Sequence, residues 1–179
     1  MLDLGLVESR QDWVMAMATP ALDVLVRSAK PYRQHVYAHD PGAPFGQEAA
    51  EALGVEPGRV FKTLVVTAGE RRAVAVIPVS TELDLKAMAR ALEAKKVAMA
   101  EPLEAERSTG YVVGGISPLG QKRRLSTVVD ESAVSWPTMF VSGGQRGLEL
   151  ELAPSDLVSL TGASLAPIAR APLRKSRQA

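Results

Sequence analysis

Cysteine is absent from this 179-residue chain, which excludes a disulfide framework, a thiolate zinc site and a cysteine nucleophile. Histidine is almost absent too. His35 and His39 are the only two, so a His-rich metal centre and a Ser-His-Asp triad are both poorly supported. Two Trp, three Tyr and three Phe are too few for a broad platform that stacks single-stranded bases. No apolar run approaches the ~20 residues that a membrane-spanning helix needs. The first residues mix Asp3, Glu8, Arg10 and Asp12 with hydrophobics and lack the layout of a secretory signal. These absences lead us to expect a cytoplasmic protein with no membrane partner. A formal charge of +1 requires any nucleic acid to be gripped by a local basic patch rather than by overall charge.

What is present suits a single domain able to bury its own core. Thr19-Pro20 ahead of Leu22, Leu25 and Val26 reads as an N-cap, a first-turn proline and an apolar stripe, with Pro31 as the stop. Residues 1–18 precede this pattern and are read as an N-terminal extension, 19–170 as the domain, and 171–179 as a basic tail. An extended run at 33–38 leads through a Pro/Gly loop to a helix over 46–53, closed by Gly54. Val60 to Thr67 is rich in β-branched residues and predicts a strand, with Ala73 to Ile77 as its hairpin partner. Asp84 opens a helix with Leu85, Met88, Ala89 and Leu92 inward. Further strands are expected at 97–99, 111–113, 127–129, 138–141, 148–152 and 164–168, with helical segments at 102–107 and 154–160. The fold class is α+β: one domain on a mixed sheet, curled toward a barrel and surrounded by helices.

Three segments carry possible chemistry. Lys62 shares a strand face with Val60, Leu64 and Val66, which places an ammonium among aliphatic side chains. Either it snorkels at a sheet edge, or desolvation makes it a strong partner for a carbonyl oxygen or a phosphate. Thr63 points to the other face, yet its amide or hydroxyl can reach a ligand at the strand edge. The second segment runs from Arg107 to Gly120, with Gly114, Gly115 and Gly120 around Ser117-Pro118. Its amides can approach a ligand closely, but its spacing is neither a Walker loop nor a dinucleotide fingerprint. Gln121-Lys122-Arg123-Arg124 follows, either a solvated face or a grip on backbone phosphate. The third is Ser142 to Glu149, a glycine-rich hairpin. Ser142 has no histidine at triad spacing, and Glu149 faces either solvent or a site.

Taken together, Phe45-Gly46, Val60-Phe61-Lys62-Thr63-Leu64, the run Ser108 to Gly120, and Val141 to Leu148 resemble the YbaK family. These are aminoacyl-tRNA deacylases related to the editing insertion of bacterial prolyl-tRNA synthetases. The resemblance runs from about residue 18 to 170 and is nearest to the branch that clears cysteine from mischarged proline tRNA. It implies catalytic roles for Lys62 and Gly114, and substrate-binding roles for Tyr37, Phe45, Gly46, Thr63, Ser142 and Glu149. The family often has Asp where this chain has Glu149. Lys122, Arg123 and Arg124 are candidates for tRNA contact. The implied partners are aminoacyl-tRNA, chiefly tRNA(Pro), and prolyl-tRNA synthetase; no metal or organic cofactor is implied. An aminoacyl ester is already activated, so a site without Cys or a triad can still direct attack by water, a ribose hydroxyl or the substrate's own thiol. Two other functions remain open from sequence: an alanine-specific deacylase, and a non-catalytic module that binds tRNA or a synthetase.

Overall fold

A computed structural model describes residues 18–39, 42 and 46–172. The expected extension and tail lie almost wholly outside them, as does Phe45. Helix α1, Pro20–Ser28, begins where the sequence predicts: the Thr19 hydroxyl accepts from the Leu22 amide at 3.2 Å and Pro20 sits in the first turn. The same hydroxyl donates to the Gly143 carbonyl at 2.6 Å, tying the helix start to a distant loop. Ala21, Leu22 and Leu25 are buried, whereas Val26 is 67% exposed, so the inward stripe is narrower than the sequence suggested.

Strand β1 (Tyr32–Val36) is followed by α2 (Gln47–Leu53), which Gly54 ends in the left-handed conformation. Strands β2 (Val60–Ala68) and β3 (Arg71–Pro78) form the central hairpin. After β4 (Glu82–Leu83), the Asp84 carboxylate caps α3 (Leu85–Ala91) by accepting from the Lys86 and Ala87 amides at 2.9 Å each. Ala87, Met88 and Ala89 face inward there. Leu85, expected in the stripe, lies outside at the first turn. Short β5 (Ala98–Met99) precedes α4 (Pro102–Thr109), and β6 (Ser126–Asp130) follows a long loop. The remainder is β7 (Met139–Ser142), β8 (Leu148–Leu152), α5 (Pro154–Thr161), β9 (Ser164–Ala166) and β10 (Ala169–Arg170).

The main sheet runs β1-β8-β7-β2-β3-β6-β9, with β5 also on β2, while β4 and β10 pair separately. It is mixed: β2–β7, β3–β6 and β6–β9 are parallel and the other pairs antiparallel. The parallel pairs come from long crossovers carrying helices, which the short hairpins of the sequence did not reveal. One core cluster packs Phe61, Val65, Val141, Leu148 and Leu150 beneath α1, and a second packs Val66, Ala75, Ile77 and Met88 on the other side. Among the described residues no helix is long and apolar enough to cross a membrane.

The segment 111–113 is not a strand. Glycines bracket it at 110 and 114, and the buried Tyr111 hydroxyl donates to the Leu119 carbonyl at 2.7 Å, which folds the chain into a closed loop. That loop packs on α1 through Gly120. At φ +65°, a Cβ there would lie 2.4 Å from the carbonyl carbon and oxygen of Pro20. Gly120→Ala is therefore expected to cost about 3 kcal/mol, the upper end of overpacking penalties, measured as a lower urea midpoint at unchanged m-value.

Candidate active site

Strand β2 is covered unevenly along one edge. Val60 and Phe61 pair with β7, and Val66 and Thr67 pair with β5. Among the described residues no strand pairs with that edge from Lys62 to Leu64. The direction of the backbone groups there follows from two hydrogen bonds. The Val60 carbonyl accepts from Val79 on the β3 side, and the Val65 carbonyl accepts from Ala100 on the opposite side. Alternation along a strand therefore points the Thr63 amide and carbonyl, like those of Val65, into the gap. Its side-chain Oγ1 is buried there with no hydrogen-bond partner among the described residues.

The gap is the floor of a cavity of about 580 Å³, inside the ~300–1,000 Å³ range of small-ligand sites. Its walls are mostly aliphatic: Leu64, Val79, Met99, Ala105 and Ile116 among them. The polar side chains in the wall are Lys62, Thr63, Ser142 and Glu149, and Gly46 and Gly114 contribute backbone. Six residues singled out from sequence thus converge on one hollow. Tyr37 stands beside it rather than in its wall, packed on the cluster of Val60, Val79 and Phe140. Its hydroxyl is pushed up to about 12 by burial and by the charges of Glu149 and Glu48. Lys122, Arg123 and Arg124 are exposed and do not line the cavity.

Lys62 is half-buried and donates to the Thr81 carbonyl at 2.6 Å. Burial lowers its pKa, opposed by the nearby charge of Glu82. An ammonium has three protons, so two remain for a ligand. Glu149 is a carboxyl of the opposite kind. It is 8% exposed, its Oε2 has no hydrogen-bond partner among the described residues, and burial pushes its pKa up to about 8. At neutral pH it is a protonated acid that can donate a hydrogen bond. Glu151, two residues along the same face of β8, is held by its neighbours. It accepts from Thr138 at 2.6 Å and Arg59 at 3.0 Å, and meets His35 at 2.8 Å. Burial raises the Glu151 pKa, but those partners outweigh it and the net direction is down.

Register explains why Glu149 looks inward. It lies opposite Ser142 on β7 and opposite His35 on β1, so Ser142 and Glu149 share a row across the sheet. The Ser142 hydroxyl accepts from the Gly144 amide at 3.2 Å and stiffens its own turn. Gly114, at φ +92°, is positioned by its neighbour: the Val113 amide donates to Glu106 at 3.0 Å and the Val113 carbonyl accepts from Arg146 at 2.9 Å. The two glycine loops touch, since a Cβ on Gly115 would lie 3.0 Å from the Gln145 Cα. Sequence reading missed this Glu106–Arg146 clamp, and it missed the apolar wall from β5 and α4. Neither has a motif. Among the described residues no three metal-ligating side chains gather into a group that could hold an ion.

The model of the aminoacyl-tRNA editing domain family matches residues 40–160. The chain belongs to that family. This editing domain is 41% identical over 152 residues to an Enterococcus faecalis protein provisionally named Cys-tRNA(Pro)/Cys-tRNA(Cys) deacylase EbsC, covering 84% of this chain and 92% of that protein. It is also 32% identical over 94 residues to the proline–tRNA ligase of Acidithiobacillus ferrooxidans, covering 52% of this chain but 16% of the ligase, so a domain is what they share. A crystal structure of a hypothetical protein superposes with a TM-score of 0.78 at 27% identity, covering 85% of this chain and 100% of that one. Another, ascribed to a trans-editing enzyme for prolyl-tRNA synthetase, has a TM-score of 0.74 at 24% identity, covering 87% and 96%, and bears on the fold alone. The YbaK-like α+β architecture expected from sequence is the one observed.

Proposed function

We propose that this protein is a trans-editing aminoacyl-tRNA deacylase that releases cysteine mischarged onto tRNA(Pro). The observation that carries the reading is the convergence of Lys62, Thr63, Gly114, Ser142 and Glu149 on one largely apolar cavity. The 41% identity to a protein named as a Cys-tRNA deacylase supports the choice of amino acid. Aliphatic walls suit a small uncharged side chain. The free groups at Thr63 offer an acceptor for the substrate's amino group and donors for its ester. The protonated Glu149 adds a donor in a site where an ionised carboxylate would repel the leaving ribose oxygen.

Among the described residues no histidine lines the cavity, and the chain has no cysteine, so no Cys nucleophile or His-activated hydroxyl sits in the wall. The cysteinyl thiol attacks its own ester carbonyl: a carbon–sulfur bond forms, the carbon–oxygen bond to ribose breaks, and the freed ribose oxygen takes up the proton. Holding thiol and carbonyl in line contributes ~7–11 kcal/mol in favourable cases. The Lys62 ammonium and the Gly114 amide face the charge that develops on the carbonyl oxygen, the Gly115 amide being already given to the Val112 carbonyl. Water or the neighbouring ribose hydroxyl takes the same place for a substrate without a thiol. Lys122, Arg123 and Arg124 contribute to tRNA affinity, prolyl-tRNA synthetase is the partner that delivers the substrate, and the compartment is the cytoplasm.

Single-turnover assays with Cys-tRNA(Pro) and Ala-tRNA(Pro) test this. Cysteine release is expected to exceed alanine release by more than the ~10–200-fold that pocket shape alone affords, because only cysteine brings its own nucleophile. Equal rates would replace the thiol route by hydrolysis. Faster alanine release would overturn the substrate, and inertness toward both would leave a tRNA-binding module.

A further inference from the structure

The basic run of the sequence meets two arginines from a different part of the fold. A hollow of about 240 Å³ at the far end of the β2–β3 hairpin is lined by Ala68, Arg71, Arg72, Leu92, Arg124 and Leu125, among others. A second, of about 160 Å³, adjoins it and is lined in part by Gly120, Gln121 and Arg123. The two share Arg124 and Leu125, which makes them one trough with arginines along its length. Arg71, Arg123 and Arg124 are exposed and form no ion pair among the described residues. Arg72 is instead fixed: it pairs with Glu104 and donates to the Glu70 carbonyl at 3.0 Å. Glu104 is thereby occupied. In a chain of net charge +1, this is a local concentration of positive charge in a concave surface.

The trough is joined to the reaction cavity twice. Strand β2 gives Val65 to the cavity and, three residues or about 10 Å on, Ala68 to the trough from the opposite face of the sheet. The glycine-serine-proline loop gives Gly114 to the cavity and Gly120, Arg123 and Arg124 to the trough. One loop thus carries both a wall of the cavity and the basic residues of the trough. We infer that this trough is the docking surface for the sugar-phosphate backbone of the tRNA acceptor arm, with Arg71 and Arg124 as its phosphate contacts and Arg72 as a fixed support. It rests on the reading that the cavity takes the aminoacyl end. Contacts of this kind set register without reading bases.

The test uses the full chain and unacylated tRNA(Pro), with affinity measured across a salt series. Arg71→Ala/Arg124→Ala is expected to lose at least tenfold in affinity and to flatten the log-affinity against log-salt slope by about 1.5–2. Arg71→Lys/Arg124→Lys, which keeps the charges, is expected to retain most of the slope. Arg33→Ala, on edge strand β1, serves as the control. An unchanged slope in the alanine pair, or an equal loss in the control, would overturn the docking surface. Deacylation of Cys-tRNA(Pro) by the wild type is a separate readout: its failure would sink the enzymatic reading and leave the binding measurement to decide the trough.

Discussion

Replacing Lys62 with alanine is expected to slow single-turnover release of cysteine from tRNA(Pro) by ~10²–10³ while the protein stays folded. Both halves of that expectation follow from where the residue sits. Lys62 lies in the stretch of β2 that no described strand covers on one edge, next to Thr63, and its side chain shares the cavity wall with Gly114. Its charge is partly desolvated, which strengthens its pull on a developing oxyanion. The folded state survives, since the charge-assisted bond to the Thr81 carbonyl is worth ~1.5–3 kcal/mol and removing a half-buried charge offsets part of it. Lys62→Arg is not expected to restore the rate, because a planar guanidinium cannot present the same point charge from the same place. Wild-type turnover in the alanine variant, with circular dichroism unchanged, would remove Lys62 from the chemistry altogether.

Glu149 is expected to make stability fall as pH rises from about 4.5 to about 8. Its folded pKa of about 8 lies above the ordinary carboxylate value of 4.5, so the folded chain keeps a proton that the unfolded chain gives up. The stabilisation is complete below about pH 4.5 and is lost as pH rises to about 8, at roughly 1.4 kcal/mol per pH unit within that window. Carboxylates with lowered pKa, such as Glu151 and Asp84, act in the opposite direction and mainly at lower pH. The difference between wild type and Glu149→Gln isolates the effect. Glutamine keeps the shape and a donor but never ionises, so the variant should melt higher than wild type at pH 8 and lose that advantage at pH 5. A Tm difference that is flat from pH 5 to 9 would mean that Glu149 is ionised in the folded protein.

The readable and unreadable parts of this protein divide along a physical line. Lys62 stood out because a charge inside an aliphatic strand breaks the local pattern, and Glu149 did so between two leucines. Caps and stops at Thr19, Asp84 and Gly54 were legible because they act within three residues of themselves. The apolar wall formed by Met99 and Ala105 was not, since ordinary residues become a wall only through the pairing of β5 with β2 and the packing of α4. The Glu106–Arg146 clamp joins residues with no shared motif. Tyr111 to Val113 was misread because β-branched composition says strand, while the decisive hydroxyl bond to Leu119 lies eight residues away. Tyr37, a pocket position by resemblance, packs beside the cavity on Val60, Val79 and Phe140, because a motif match carries a position and not its distance from the ligand.

The bare edge of β2 has a consequence for the sheet as a whole. At Thr63, among the described residues, the ladder is missing a rung on one side. A ligand that takes up those groups stands in for the absent neighbour, so filling the cavity and knitting the sheet become one event. A bound ligand then adds RT ln(1 + [L]/Kd) to the stability of the folded sheet.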